Sequence, residues 1–344
     1  MKDIVRIPDV LLPKEGVDLK KWAVIACDQF TSQGQYWQQL SDYCGETSAL
    51  NIIFPEYYLD KGDMEERIGR INASMQRYLT KGVFREVHGV ILTERITSYG
   101  HKRTGLLLAL DLEKYDFTTG TLPIRATEAT VKERLPVRLR IRENAPLELP
   151  HVLILIDDEA KSVIEPARAR VTEEDLLYST ELNMNGGSVK GYLLRDPETA
   201  LNSLFALADE DRMLARYGKK DPFLFAVGDG NHSVATAKLL WERIKPSLTE
   251  SEREYHPARY VLAEVVNLYE DDLVFEAIHR VIFGAGESFI EEMEHSLSGD
   301  GHITLIYRDK MYGVSVPRVA AEAVKVVQEF IDGYIASHEG VSVE

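Results

Sequence analysis

Phe223-Leu224-Phe225-Ala226-Val227-Gly228-Asp229-Gly230-Asn231-His232-Ser233 is the stretch whose conformation decides how the chain is read. Its first five residues form a short apolar run of buried-strand type, and Val234 to Ile244 carries a helical pattern. The six residues Gly228 to Ser233 therefore join a strand to a helix. Two glycines let the backbone turn tightly and approach a ligand. The first N–H groups of the helix behind them have no partner inside the helix, and a phosphate or carboxylate supplies one.

Outward from this turn, the composition is that of a globular protein. The chain has 344 residues, 44% of them hydrophobic and 28% charged, enough for a sizeable core in one large domain or two. A net charge of −16 argues against a nucleic-acid or membrane-surface binder, because such proteins present a basic face to phosphates. Any anion site is a local exception. Cys27 and Cys44 form no CxxC pair, and neither a signal peptide nor an apolar run of about 18 residues is evident. The expected setting is the reducing cytoplasm, with two structural thiols.

Before the turn, the prolines of Val5 to Pro13 suit an extended edge segment. Trp22 to Cys27 reads as a strand followed by a polar run from Asp28 to Gln33, with Thr31 or Ser32 placed to cap a helix from Tyr36 to Tyr43. Met64, Ile68, Ile71, Met75 and Leu79 mark an amphipathic helix ended by Gly82. His88 to Thr93 and Thr104 to Leu112 read as adjacent strands. Val152 to Ile156 is a further strand, and Asp157-Asp158 after it forms either a turn or a divalent-cation site. Glu181 to Gly191, rich in Asn and Gly, is expected to be a mobile loop or a linker, and Leu201 to Tyr217 a single helix.

Beyond the turn, Arg259 to Leu268 reads as a buried strand, with Leu273 to Arg280 following closely. Glu264 lies in that apolar run and needs a partner if buried. A helix around Glu291 to Leu297, a strand pair within Ile303 to Val316 and a helix from Ala320 to Ile335 complete the pattern. The fold class expected is α+β, with mixed sheets flanked by helices.

Charge reverses locally between Arg125 and Arg142, where Arg125, Lys132, Arg134, Arg138, Arg140 and Arg142 crowd an acidic chain. In a helix from Glu133 to Asn144 with Pro136 in its first turn, Arg134, Arg138 and Arg142 share a face. That face either meets an anion, which guanidinium forks match, or lies in water paired with Glu128, Glu133 and Glu143.

Gly-x-Gly-x-x-Ser is not a dinucleotide fingerprint, since no second strand ends in an acid about 20 residues on. Lys238 lies inside the helix, so the phosphate loop ending in Gly-Lys-Ser/Thr is absent as well. What remains is a concentration of polar groups on one turn. His232 is a candidate acid–base group or capping residue, Asp229 and Asn231 flank it, and Ser233 offers a hydroxyl.

The segment Ala226 to Ala237 resembles the signature of the family called domain of unknown function number 1015. Thr104-Gly105-Leu106 with Asp111 to Tyr115, Thr127-Glu128-Ala129-Thr130, Asn144-Ala145-Pro146 and Ile278-His279-Arg280 resemble its other landmarks. On this resemblance the chain is one family unit, with expected subdomains 1–165 and 166–344. Many relatives carry Asp-Gly-His-His-Arg where this chain has Asp229 to Ser233. That variant is similar to the phosphate-binding turn of the ParB/sulfiredoxin superfamily, which includes nucleotide-dependent free-serine kinases. The similarity implies a nucleotide-binding core and a nucleotide with Mg²⁺ as cofactor. Ser233 in place of arginine leaves the cation to another residue, Arg134 or Arg280.

The site these readings assemble has His232 and Asp229 as catalytic groups. Gly228, Gly230, Asn231, Ser233, Arg134, Arg138, Glu128, His279 and Arg280 are its ligand-binding groups. The expected ligand is a nucleotide or another small anionic metabolite, and the leading activity is that of a small-molecule kinase. The alternatives are a non-catalytic metabolite sensor and a hydrolase of amino-acid-like substrates with Ser233 or Asp229 reacting.

Overall fold

The computed structural model describes residues 2–26, 30–31, 33–59, 61–117, 121–128, 130, 134–149, 152–274 and 279–343. Cys27 to Gln29, Ser32, Ala129, Lys132, Glu133 and 275–278 lie outside the described residues, and with them the sequence readings that fall there. The chain divides into two compact units, Met1–Val274 and Phe275–Glu344. Strands from both sides of residue 165 interleave in one sheet of the first unit.

In chain order, the strands described in the first unit are β1 (Val5–Arg6), β2 (Asp9–Pro13), β3 (Phe84–His88), β4 (Ile91–Ile96), β5 (Lys102–Asp111), β6 (Ile124–Ala126), β7 (Val152–Ile156), β8 (Leu176–Glu181), β9 (Ser188–Leu193), β10 (Phe225–Asp229) and β11 (Tyr260–Asn267). Nine of them build one sheet in the order β6-β10-β7-β11-β5-β4-β9-β8, with β1 pairing β5 off that path. β10 runs parallel to β6, and β11 parallel to β7, while the other pairings are antiparallel. β2 and β3 form a separate antiparallel pair. This is the α+β arrangement the pattern predicts.

Side-chain alternation assigns the faces of the sheet. Leu106, Leu108 and Leu110 of β5, with Val261, Ala263 and Val265 of β11, enter the main core. The helices Ile164–Arg170, Pro197–Ala206 and Asn231–Ile244 cover that face. The last of these packs through Val234, Ala237 and Trp241, spaced three and four apart. Trp241 is fully buried and donates its indole N–H to Glu113 at 2.6 Å, so its burial leaves no polar group unsatisfied. Lys238 of the same helix donates to the Leu112 carbonyl at 3.0 Å.

Several local readings change in the folded chain. Trp22 ends a short helix, Leu19–Trp22, capped by Asp18, and Ala23 to Ala26 form no strand. Tertiary hydrogen bonds override the apolar pattern there: Asn183 donates to the Lys20 and Ala23 carbonyls at 2.8 and 2.9 Å. The next helix is Gly34–Cys44 with Gln33 at its N-cap, so Thr31 does not hold that position. Leu201 to Tyr217 is two helices, Pro197–Ala206 and Glu210–Tyr217, because Asp209 caps the second through the N–H groups of Asp211 and Arg212. Glu181 to Gly191 is part of the β8–β9 hairpin. Its turn uses left-handed backbone at Met184, Asn185 and Gly187, and closes with Leu182 N–H donating to the Gly187 carbonyl at 2.8 Å. Asp157-Asp158 is a loop, in which Asp158 accepts from the N–H groups of Ser162 and Val163.

The second unit is an antiparallel hairpin, Gly301–Tyr307 with Lys310–Val316, and two helices, Glu287–Ser296 and Ala320–Ser337. Arg308 and Asp309 both take positive φ in its two-residue turn, as a primed hairpin turn requires. Phe289, Met293, Val314, Ile331 and Tyr334 form its core.

Candidate functional site

The turn lies at the carboxyl end of two neighbouring parallel strands, β6 and β10, the edge where α/β units collect ligands. Gly228 sits at a register shift between β10 and β7, and a Cβ there would come within 2.9 Å of Leu155 Cγ. Gly230 takes φ 87° and is the N-cap of the helix Asn231–Ile244. Having no side chain, it contributes no N-cap side-chain acceptor of its own. Each glycine is thus required by the geometry, one by space and one by backbone conformation.

Asn231 links the turn to the end of β6. Its side chain is buried and faces inward, donating to Thr127 Oγ1 at 3.3 Å and the Val227 carbonyl at 3.4 Å. It also accepts from Thr127 N–H at 3.3 Å. Thr127 Oγ1 donates in turn to the Val227 carbonyl at 2.5 Å. This network ties the end of β6 to the start of the helix and fixes where Glu128 begins.

Asp229 and Glu128 are exposed, while His232 and Ser233 are half-buried. The helix Leu135–Arg142, with Pro136 in its first turn, packs on the Asn231–Ile244 helix. Arg134 is its exposed N-cap residue. Arg138 donates to the Arg134 carbonyl at 3.3 Å and forms an ion pair with Glu56. Burial holds the His232 pKa below its ordinary value, with the Arg138 and Arg134 charges adding to the effect and Glu128 and Glu56 opposing it. His232 therefore feels the charges of two guanidinium groups and two carboxylates.

The arginine stretch does not act as a single stripe. Arg142 pairs with Glu148, Arg140 with Glu65, and Arg125 is held by the Leu122 and Pro222 carbonyls and the Phe223 ring. His279 and Arg280 belong to the second unit and are exposed. The site at the turn is described without them. Glu56 was not foreseen, and nothing in the sequence marks it: it lies in a Glu56–Tyr58 3-10 turn, 82 residues from its partner. A hollow of about 570 Å³ opens between the same two helices, lined by Leu135, Pro136, Leu139 and Leu239 with charged neighbours. No residue of the turn lines it, and Gly228 and Asp229 of the turn are exposed at the surface.

A strand, a glycine turn and a helix N-terminus with arginines beside a half-buried histidine define a class of candidate anion sites on a mixed α+β sheet. The family model described as "protein of unknown function (DUF1015)" matches residues 11–334, and the chain belongs to that family. No curated protein and no solved structure matches it, and nothing in these comparisons carries the resemblance to the ParB/sulfiredoxin superfamily. No helix among the described residues is long and apolar enough to cross a membrane.

Proposed function

We propose that the turn Gly228 to Ser233 binds the phosphate of a nucleotide or phosphorylated metabolite. The observation that carries this reading is a 14-residue helix whose N-cap is glycine, on which the helix led by Arg134 and bearing Arg138 packs. In a chain of net charge −16, this end of the helix combines the positive pole of the macrodipole with two guanidinium groups. A bound phosphate would accept from first-turn N–H groups, and Arg138 would neutralise it. Arg138 thereby takes the place of the arginine that Ser233 replaces.

The finer reading is phosphoryl transfer to a small molecule. His232, neutral at pH 7 because its pKa is lowered, is poised to take a proton from an attacking hydroxyl. Asp229 and Glu128 at the same end fit Mg²⁺, which takes one or two carboxylates beside phosphate oxygens and supplies charge neutralisation when bound.

The test is a thermal-shift series with ATP, CTP, ADP and inorganic phosphate, each with Mg²⁺, followed by a phosphoryl-transfer assay. Ligand at ~100 times Kd stabilises by about 2.7 kcal/mol, a shift of several degrees. A shift lost in Arg138→Met and in His232→Ala supports the site. Turnover lost in His232→Ala, with the fold intact, supports the transfer role. Absence of a shift with every phosphate compound rules out the reading, while a shift without turnover reduces it to a sensor.

A further inference from the structure

The opposite face of the sheet carries a second constellation, independent of the turn. Tyr178, Gly191, Thr93 and Gly105 are successive partners in one row across β8, β9, β4 and β5. The two glycines have no side chain to fill the row, and neighbours lie over them. A Cβ on Gly191 would come within 2.3 Å of the Tyr178 ring, and a Cβ on Gly105 within 2.6 Å of Glu264 Cγ. Thr93 stands between, donating to Glu264 Oε1 at 2.7 Å, and Arg103 donates to Glu264 Oε2 at 2.7 Å. The result is a polar trough in an otherwise apolar sheet face.

This trough lines a cleft of about 1330 Å³ between the sheet, the β2 segment and the residues around Trp22 and Leu147. Its walls include Val10, Leu12, Leu107, Leu177 and Leu262, which pack around the Tyr178 ring. Pockets of this kind bind small molecules through a large apolar surface and a few convergent polar groups.

The polar groups indicate which kind of molecule. Arg103 Nε is buried and makes no hydrogen bond among the described residues, a donor in need of an acceptor. Tyr178, which lines the same cleft, offers a second donor in its hydroxyl. Arg103 also stands directly opposite Arg95 across the β4–β5 pair. Of the four acids lining the cleft, Glu264 is taken by Arg103, Glu148 by Arg142 and Asp9 by His88, while Glu15 is exposed. By contrast, Arg6 and Arg85 of the lining donate to the neutral Tyr255 and Leu177 carbonyls.

We propose that this cleft binds a small amphipathic carboxylate, its head accepting from Arg103 and Tyr178 beside Thr93 and its apolar body lying along Val10, Leu12, Leu107 and Leu262. The site is separate from the glycine turn and does not depend on what the turn binds.

Dodecanoate is the probe, titrated into the full chain by calorimetry and by the fluorescence of Trp22, which lines the cleft. Dodecylamine is the head-group control. Tyr178→Phe keeps the ring packed and removes only the hydroxyl, whereas Leu12→Trp fills the apolar end. The expected result is saturable single-site binding of dodecanoate, weakened about tenfold or more by Tyr178→Phe and lost in Leu12→Trp, with dodecylamine at least ~10-fold weaker. No binding at ~1 mM dodecanoate, equal affinity for both head groups, or indifference to both substitutions would overturn the proposal.

Discussion

The turn at Gly228 to Ser233 and the trough around Thr93 both rest on glycines, but Gly230 of the turn serves a different purpose from Gly105 and Gly191 of the trough. In the turn, Gly230 supplies a backbone conformation, φ 87°, at the N-cap of a helix. In the trough, Gly105 and Gly191 have ordinary strand backbone and supply emptiness, into which Glu264 and Tyr178 fold from neighbouring strands. The difference teaches how to read glycine. One that sets conformation acts within its own segment, whereas one that makes room acts through a partner the sequence does not reveal.

The comparison breaks first at the trough's ion pair. Glu264→Leu strips Arg103 of its carboxylate and is expected to cost about 2–3 kcal/mol in chemical denaturation, below the ~3–5 of a fully buried pair because Arg103 keeps 31% of its side-chain surface. Adding Arg103→Met should recover most of the loss. If the double substitution is no more stable than Glu264→Leu, the pair is not what holds that face.

Gly191→Val should cost about 2 kcal/mol, because the new side chain enters space held by the Tyr178 ring. Truncating the intruded residue, in Gly191→Val with Tyr178→Ala, should then show a coupling energy that a room-making glycine predicts. Gly230→Ala sharpens the contrast from the other side. It should cost about 1–2 kcal/mol through left-handed backbone, and shortening its nearest neighbour in Val152→Ala should not relieve it. Relief there would mean that crowding, not conformation, selects glycine at 230.

The smallest effect is electrostatic. Because burial and the two arginines hold His232 below its ordinary 6.5, the unfolded chain takes up this proton at a higher pH than the folded one. Stability therefore rises with pH across the window from the folded-state pKa up to 6.5, and the contribution is lost as pH falls through it. Denaturation midpoints of the parent and His232→Gln across that window should show a shallower slope in the variant. The difference should be modest, since His232 is only half-buried and solvent screens its neighbours.

Much of the architecture was legible in the chain because it is local. The helix Met64–Thr80, the strands β5, β7 and β11, the strand–turn–helix and the C-terminal hairpin between two helices follow from apolar periodicity within a single segment. The α+β class follows from their mixture. At the site, the placement of His232 in the first turn of a helix follows from the same local pattern. The inward role of Asn231, the Arg138–Glu56 pair and the exposure of His279 and Arg280 were not legible.

Sequence by itself determined the conformational elements of this protein: where the chain turns, where it alternates and where a helix begins. Tertiary structure decided which elements meet. The trough exists because β5 lies between β4 and β11 and β9 between β4 and β8, so that Glu264 and Tyr178 fall over glycines 159 and 13 residues away in the chain. Periodicity records which face a side chain takes, since that depends only on backbone geometry. Strand order and register are set by the packing of the whole sheet, and no single segment carries them.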